Sequence, residues 1–229
     1  MNHSPDTYAT GAAETAITLM LMLARRANQS HQPVAPGTGN GWSQPASTCR
    51  QLSGKTLGIG GFDDAAHETA VRARFGFGMK IIVHHRSPLP AETLSRLDAT
   101  QVSDIDQLLG QADVVSLHCR ADTDTRHLID ALRLNRMKPD AIVINTASSQ
   151  LLDEEALADA LWYDTIAGAG LQARDDEPPL NERLLACENT MVLPRTNDLT
   201  GQDSKPANHP ALAGLPEFGG IGALFERVA

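Results

Sequence analysis

Gly61, Asp63, Asp64, Ala65 and Ala66 stand where an apolar strand pattern, Thr56–Gly60, runs into a helical one. A turn spaced Gly-x-Gly-x-x-Gly at such a junction holds the diphosphate of a dinucleotide. Its first glycine makes the turn, its second lets backbone approach the anion, and its third lets helix pack on strand. This chain has Gly61 at the first position, Asp63 at the second and Ala66 at the third. Ala66 is a small change. Asp63 puts bulk and negative charge where the diphosphate would lie. A helix N-terminus draws any anion, so Asp63 or Asp64 is expected to cap the helix and use its donors. Repulsion between such a carboxylate and a diphosphate is on the order of 1–4 kcal/mol, depending on local dielectric. The residues alone therefore favour a self-capped helix with no cofactor.

A second chemical test lies at the end of the next strand, Ile82–Ser87. An acid there holds ribose hydroxyls, and an arginine accepts a 2′-phosphate. The chain offers His84, His85 and Arg86 and no acid. Any dinucleotide bound here is expected to be NADP rather than NAD; the plainer alternative is an exposed basic loop. His84–His85 and His118–Cys119 lack further ligands at metal-binding spacing, so no metal site is expected.

Positioning such a turn takes a sheet with helices on both faces. Apolar runs at Lys80–His84, Val114–Leu117, Ala141–Asn145 and Ile166–Leu171 supply the strands, with shorter candidates at Gln101–Val102 and Thr190–Leu193. Helical stretches fall between them at Asp64–Phe77, Ala91–Leu97, Asp104–Leu109, Ile129–Arg136 and Asp153–Trp162, and a Pro-rich turn follows Leu171. This alternation predicts an α/β fold, a doubly wound parallel sheet of Rossmann type over residues 54–200. Ahead of it, Gly11–Asn28 reads as a helix with Thr10 as cap and Arg25 and Arg26 in its last turn. Its middle is apolar nearly all round. One domain covers only one side of a helix, so residues 1–29 are expected to form a homodimer contact. Residues 30–53 read as a loop or arm with Trp42 as its one large apolar side chain, and residues 201–229 as a polar tail.

The 229 residues suffice for one sizeable domain. Aromatic content is only 4% against 41% hydrophobic, so Ala, Leu, Ile and Val must build the core. That favours helices on an apolar sheet. A net charge of −9 argues against nucleic acid or an anionic membrane as partner. Cys49, Cys119 and Cys187 lie far apart, which fits a reducing cytoplasm better than a disulfide framework. The N-terminus lacks the basic-then-apolar pattern of a signal peptide. The richest apolar run, Ala16–Ala24, falls short of the roughly 20 residues a bilayer requires. A soluble cytoplasmic protein is expected.

Residues 5–200 resemble the nucleotide-binding domain of the D-isomer-specific 2-hydroxyacid dehydrogenases, the phosphoglycerate dehydrogenase-like group. The stretches that carry the likeness are Leu52–Ile59, Phe77–Lys80, Ala112–Cys119, Thr125–Ile129, Met137–Pro139, Asn145–Ala147, Ile166–Leu171 and Asp176–Leu180. The resemblance implies NAD or NADP as cofactor, with Arg86 tilting the choice to NADP, and a small 2-oxo or 2-hydroxy acid as substrate. It implies hydride transfer assisted by an arginine clamp, a histidine acid/base and a glutamate that orients the histidine. The glutamate position is Glu177 here; the arginine position is Ser148 and the histidine position Arg195. Two of three catalytic roles are therefore vacated. Cofactor contacts are implied at Cys119, Ala147 and Gln172; Gln172 replaces an aspartate of the family, and Arg120 a proline. Family members also begin with a segment that builds the substrate domain, which this sequence lacks, so no two-domain cleft is expected. Three readings follow: a catalytically impaired dehydrogenase-like protein, an active NADP-dependent reductase with an altered site, or a non-enzymatic dimeric interaction module.

Overall fold

A computed structural model describes residues 5–27, 49–173 and 179–195. Glu177, Trp42, most of the 30–53 arm and the whole 201–229 tail lie outside them. Helix α1 spans Pro5–Ala24. There follow β1 (Thr56–Gly60), α2 (Asp64–Val71), β2 (Lys80–His84), α3 (Ala91–Leu97), β3 (Ala99–Val102), α4 (Ile105–Gln111) and β4 (Val114–Leu117). The second half adds α5 (Ala131–Leu134), β5 (Ile142–Asn145), α6 (Glu154–Trp162), β6 (Gly168–Ala173), α7 (Glu182–Ala186) and β7 (Thr190–Pro194).

All seven strands are parallel, in the order β3-β2-β1-β4-β5-β6-β7. The predicted doubly wound α/β architecture is present. Successive side chains on a strand point to opposite faces, and the strands are apolar on both. Val115, Leu117, Val143 and Leu171 face one core, shared with Leu108, Leu109, Leu157 and Leu161 from α4 and α6. Leu57, Ile59, Ile81, Val83 and Ile144 face the other, shared with Leu19 and Met20 from α1 and Ala66 and Ala70 from α2.

Five helices open with the same device. Asp63, Asp104, Asp130, Asp153 and Asn181 each accept, through their side chains, an amide hydrogen bond from the first turn. Such a cap satisfies a donor that the helix cannot, and contributes about 1 kcal/mol. At the amino ends of the central strands β1 and β4, Asp113 accepts from the Thr56 amide at 2.8 Å and from Lys138 at 3.0 Å. Burial pulls the Asp113 carboxyl up, but these partners outweigh it and hold it below its ordinary value.

Several boundaries move. The first helix starts at Pro5, so Thr10 lies inside it and is not a cap, and Arg25 and Arg26 follow its last residue. Proline suits a helix start because its missing N–H is a donor that would go unmet there. The expected helix Asp64–Phe77 is α-helical only to Val71 and widens into a π turn at Arg72–Gly76. The sixth strand runs Gly168–Ala173, two residues later than its apolar pattern, because its ladder to β7 continues to Ala173 opposite Pro194. In place of part of the Pro-rich turn stands α7, five residues capped by Asn181 and too short for a periodic signal.

Helix α1 packs against α2 and against β5, β6 and β7. Gly170 makes this approach feasible: a Cβ there would meet the Leu19 Cβ at 3.0 Å and Ile144 at 2.9 Å. The same chain therefore buries Ala13, Ala16, Leu19 and Met20 completely. Leu21 stays 36% exposed, while Ile17, Met22 and Leu23 are half-buried against the same core. Among the described residues no helix is long and apolar enough to cross a membrane.

Candidate functional site

In an open parallel sheet, ligands lie beyond the carboxyl ends of the strands where strand order reverses. Here that point falls between β1 and β4. The strand ends are stitched there: the Gly61 amide donates to His84 O at 2.9 Å, and the His118 amide to Gly60 O at 2.8 Å. Gly61 takes φ +84°, and a Cβ on it would lie 2.5 Å from the Cys119 nitrogen. Only glycine meets both conditions. The first position of the fingerprint is thus kept for a reason inside the protein.

At the second position, Asp63 Oδ1 accepts from the Ala66 amide at 2.8 Å. The sequence expectation of a self-capped helix holds at Asp63, not at Asp64, which is the first helical residue. Ala66 is fully buried, so the third position packs helix on sheet without glycine. Ala65 is also buried and packs with Ala9 and Ala12 of α1. A helix leaves its first-turn amides without partners inside the helix, and Asp63 takes the one on Ala66.

Two adjoining clefts open over this turn. The larger, about 700 Å³, is lined by Gly61, Phe62, Asp63, the His84–Ser87 segment, Asp122 and Thr125 among others. The smaller, about 380 Å³, is lined by Tyr8, Ala12, Ala65, Thr146, Ala147 and Ser148 among others. Asp63, His118, Cys119 and Arg120 line both. The structure thus gathers His85 and Arg86 in one cleft and Ala147 and Ser148 in the other, with Asp63 and Cys119 between them. Gln172 is buried within β6, opposite Leu193. Arg195 follows β7, where its amide donates to Ala173 O at 2.9 Å and its guanidinium lies 5.5 Å from the centre of the Tyr8 ring. Through Tyr8 it reaches the wall of the smaller cleft. Ser148 caps a short 3-10 turn, its hydroxyl accepting from the Gln150 amide at 3.3 Å.

Electrostatics set two neutral groups, His118 and Cys119, beside the Asp63 carboxylate and a charged rim. Burial pushes the His118 imidazole down to about 4, against the pull of the Asp63 carboxylate, so it is neutral at pH 7. Its Nε2 lies 2.9 Å from the Ser116 hydroxyl. Burial also pushes the Cys119 thiol up to about 11. At the rim, Arg86 pairs with Asp122. The Arg86 hydrogen bond holds the Asp122 carboxyl down at about 2. Tyr8 and Asp122 are the site residues that motif reading misses. Tyr8 belongs to a helix turn upstream of the apparent start. Asp122 lies 36 residues beyond Arg86, and only strand order brings them together.

The residues around the turn fit the diphosphate region of a nicotinamide dinucleotide. The turn at Gly61, a helix start beside it and clefts within the usual size for small-molecule sites (roughly 300–1,000 Å³) are retained. The departure inside the turn that carries charge is the Asp63 carboxylate.

Comparison with known proteins agrees. Residues 17–196 match the model of the D-isomer specific 2-hydroxyacid dehydrogenase, NAD binding domain. A glyoxylate reductase of Thermococcus litoralis is 35% identical over 222 residues, covering 95% of this chain and 64% of that protein. A hydroxypyruvate reductase of Thermotoga maritima is 34% identical over 203 residues, covering 87% of this chain and 63% of that protein. The crystal structure of a glyoxylate reductase from Paecilomyes thermophila superposes with a TM-score of 0.74 at 36% identity, covering 86% of this chain and 58% of that one. The chain thus spans less than two thirds of the length of each of these relatives. Sheet order, the turn at Gly61 and the extent of the match lead to one conclusion: the chain belongs to the D-isomer specific 2-hydroxyacid dehydrogenase family, through its NAD binding domain.

Proposed function

We propose that this chain binds a nicotinamide dinucleotide but is impaired in hydride transfer to a small 2-oxo acid. The observation that carries the reading is the pair Ser148 and Arg195 around the cleft walled by Tyr8. Serine cannot clamp a carboxylate and its adjacent carbonyl with parallel charged hydrogen bonds. Arginine stays protonated across the physiological range and cannot act as a base. A bound nicotinamide would supply the hydride; this chain's residues would hold its adenosine and diphosphate and shield the ring. Asp63 weakens that hold without closing the cleft.

Any residual substrate belongs to the 2-oxo and 2-hydroxy acids, by kinship with the glyoxylate and hydroxypyruvate reductases. We place the protein in the cytoplasm on the strength of its three free cysteines. We assign residues 1–29 to a homodimer contact, supported by the half-covered apolar surface of Ile17, Leu21, Met22 and Leu23. That surface also supports a second reading, a non-catalytic dimeric module, which predicts a stable dimer by sedimentation and no dinucleotide binding.

The deciding experiment pairs calorimetric titration with NADH and NADPH with an assay of their oxidation by glyoxylate and hydroxypyruvate. Binding is expected. Turnover is expected to fall about 10²–10⁴-fold below that of an intact relative, the usual worth of a positioned acid/base. Turnover on a par with the Thermococcus litoralis glyoxylate reductase would sink the reading.

A further inference from the structure

The sequence places a lone arginine, Arg86, just past the end of β2, where an acid holds the ribose diol and an arginine a 2′-phosphate. Taken by itself it favours the phosphorylated dinucleotide. The structure gives Arg86 a partner. The loop after β4 brings Asp122 to the same wall of the larger cleft, and Asp122 Oδ2 accepts from the Arg86 guanidinium.

Asp122 is held for this task by its own loop. Its Oδ1 accepts from the Asp124 amide at 2.9 Å, the Thr125 amide at 3.0 Å and the Thr125 hydroxyl at 3.1 Å. One carboxylate oxygen orders the loop while the other faces Arg86. These bonds oppose a swing of the carboxyl away from Arg86 when a ligand arrives. Asp124 lines the same cleft and adds a second negative charge.

We infer that Asp122 sets which dinucleotide the adenosine end accepts, by neutralising Arg86 and repelling a 2′-phosphate, so that the cleft selects the unphosphorylated form. Asp122 thereby supplies from the β4 loop the negative charge that an acid at the end of β2 supplies in a dinucleotide fold of the ordinary pattern. A 2′-phosphate must displace the carboxylate from Arg86 and then lie beside it. A ribose diol meets neither cost. The Arg86 side chain is 60% exposed, so the pair itself is weakly held. What discriminates is the anchored negative charge. That charge persists across the neutral range, since Asp122 stays ionised far below pH 7.

The inference rests on the dinucleotide reading above, and the test separates the two. Dissociation constants for NADH and NADPH are measured by calorimetry on the full chain and on Asp122→Asn, Arg86→Gln and the double variant. Asparagine keeps an Oδ1 acceptor for the loop and removes only the charge. A melting curve checks that the loop survives, and Arg86→Gln reads the same pair from the exposed side. The full chain should prefer NADH. Asp122→Asn should tighten NADPH about tenfold and move NADH by less than about threefold. Adding Arg86→Gln should erase the gain. If both dinucleotides bind and Asp122→Asn leaves their ratio within about twofold of the starting value, the inference falls and the dinucleotide reading stands. A full chain that prefers NADPH has the same effect. If neither dinucleotide binds the full chain at millimolar concentration, both fall together.

Discussion

The Asp63 carboxylate accepts the amide proton of Ala66 at 2.8 Å, using a helix-end donor that a diphosphate would otherwise share. A side chain that binds a helix end from within does so at no loss of translational freedom. An external anion must match it and pay that loss. The carboxylate also repels the ligand directly.

Asp63→Gly is therefore expected to raise dinucleotide affinity by about tenfold or more, because it frees the Ala66 donor and removes the charge together. The cap is lost in the same step, but glycine at such a position costs only about a few tenths of a kcal/mol. Calorimetric titration with NADH checks the first effect and thermal melting the second. An unchanged affinity would show that Asp63 does not face the diphosphate.

His118 makes stability depend on pH. Its pKa in the fold is about 4, below its ordinary 6.5, because burial penalises the charged ring. Between those values the unfolded chain holds a proton that the folded chain lacks. Stability is thus full above about pH 6.5, erodes as pH falls, and has lost this contribution, roughly 3 kcal/mol, by about pH 4. Chemical denaturation at a series of pH values should show the slope, and His118→Gln should flatten it.

The three thiols should react in sequence. Cys49 is exposed, whereas burial raises the thiol pKa of both Cys119 and Cys187. At pH 8, Cys119 should be alkylated by iodoacetamide more slowly than Cys49, since only the thiolate attacks and burial disfavours it at Cys119. Mass spectrometry of timed samples measures the order. Rapid labelling of Cys119 in the folded chain would contradict the raised pKa that its partial burial causes.

Gly61→Ala should destabilise the domain by about 2–4 kcal/mol, through a strained backbone and the overlap of the new Cβ with Cys119. Equilibrium denaturation is the check. A loss under about 0.5 kcal/mol, the level of an indifferent surface change, would mean that β1 and β4 do not close at this point.

Much of the site is local and therefore legible in the residues alone. Gly61 ends a strand and Asp63 begins a helix because neighbouring residues set both, so the altered fingerprint and its cap follow from sequence. The helix that Thr10 was expected to cap shows the limit. Its start depends on what α1 packs against, and Gly170, 160 positions away by number, admits Leu19 to the sheet. The five-residue α7 is too short to reveal itself by period. The widened turn at Arg72–Gly76 meets β2, a contact that composition does not announce.

Sequence by itself determined the alternation of strand and helix, the family, the vacated roles at Ser148 and Arg195, and the carboxylate in the turn. These depend on residue type and on contacts a few positions apart. Tertiary structure alone decided that Arg86 meets Asp122, that Tyr8 joins Arg195 to the cleft holding Ser148, and that His118 is buried and neutral. Each of these joins segments far apart in the chain. Their meeting is fixed by strand order and by helix packing across the sheet, a choice made by the whole core and not by the residues that meet.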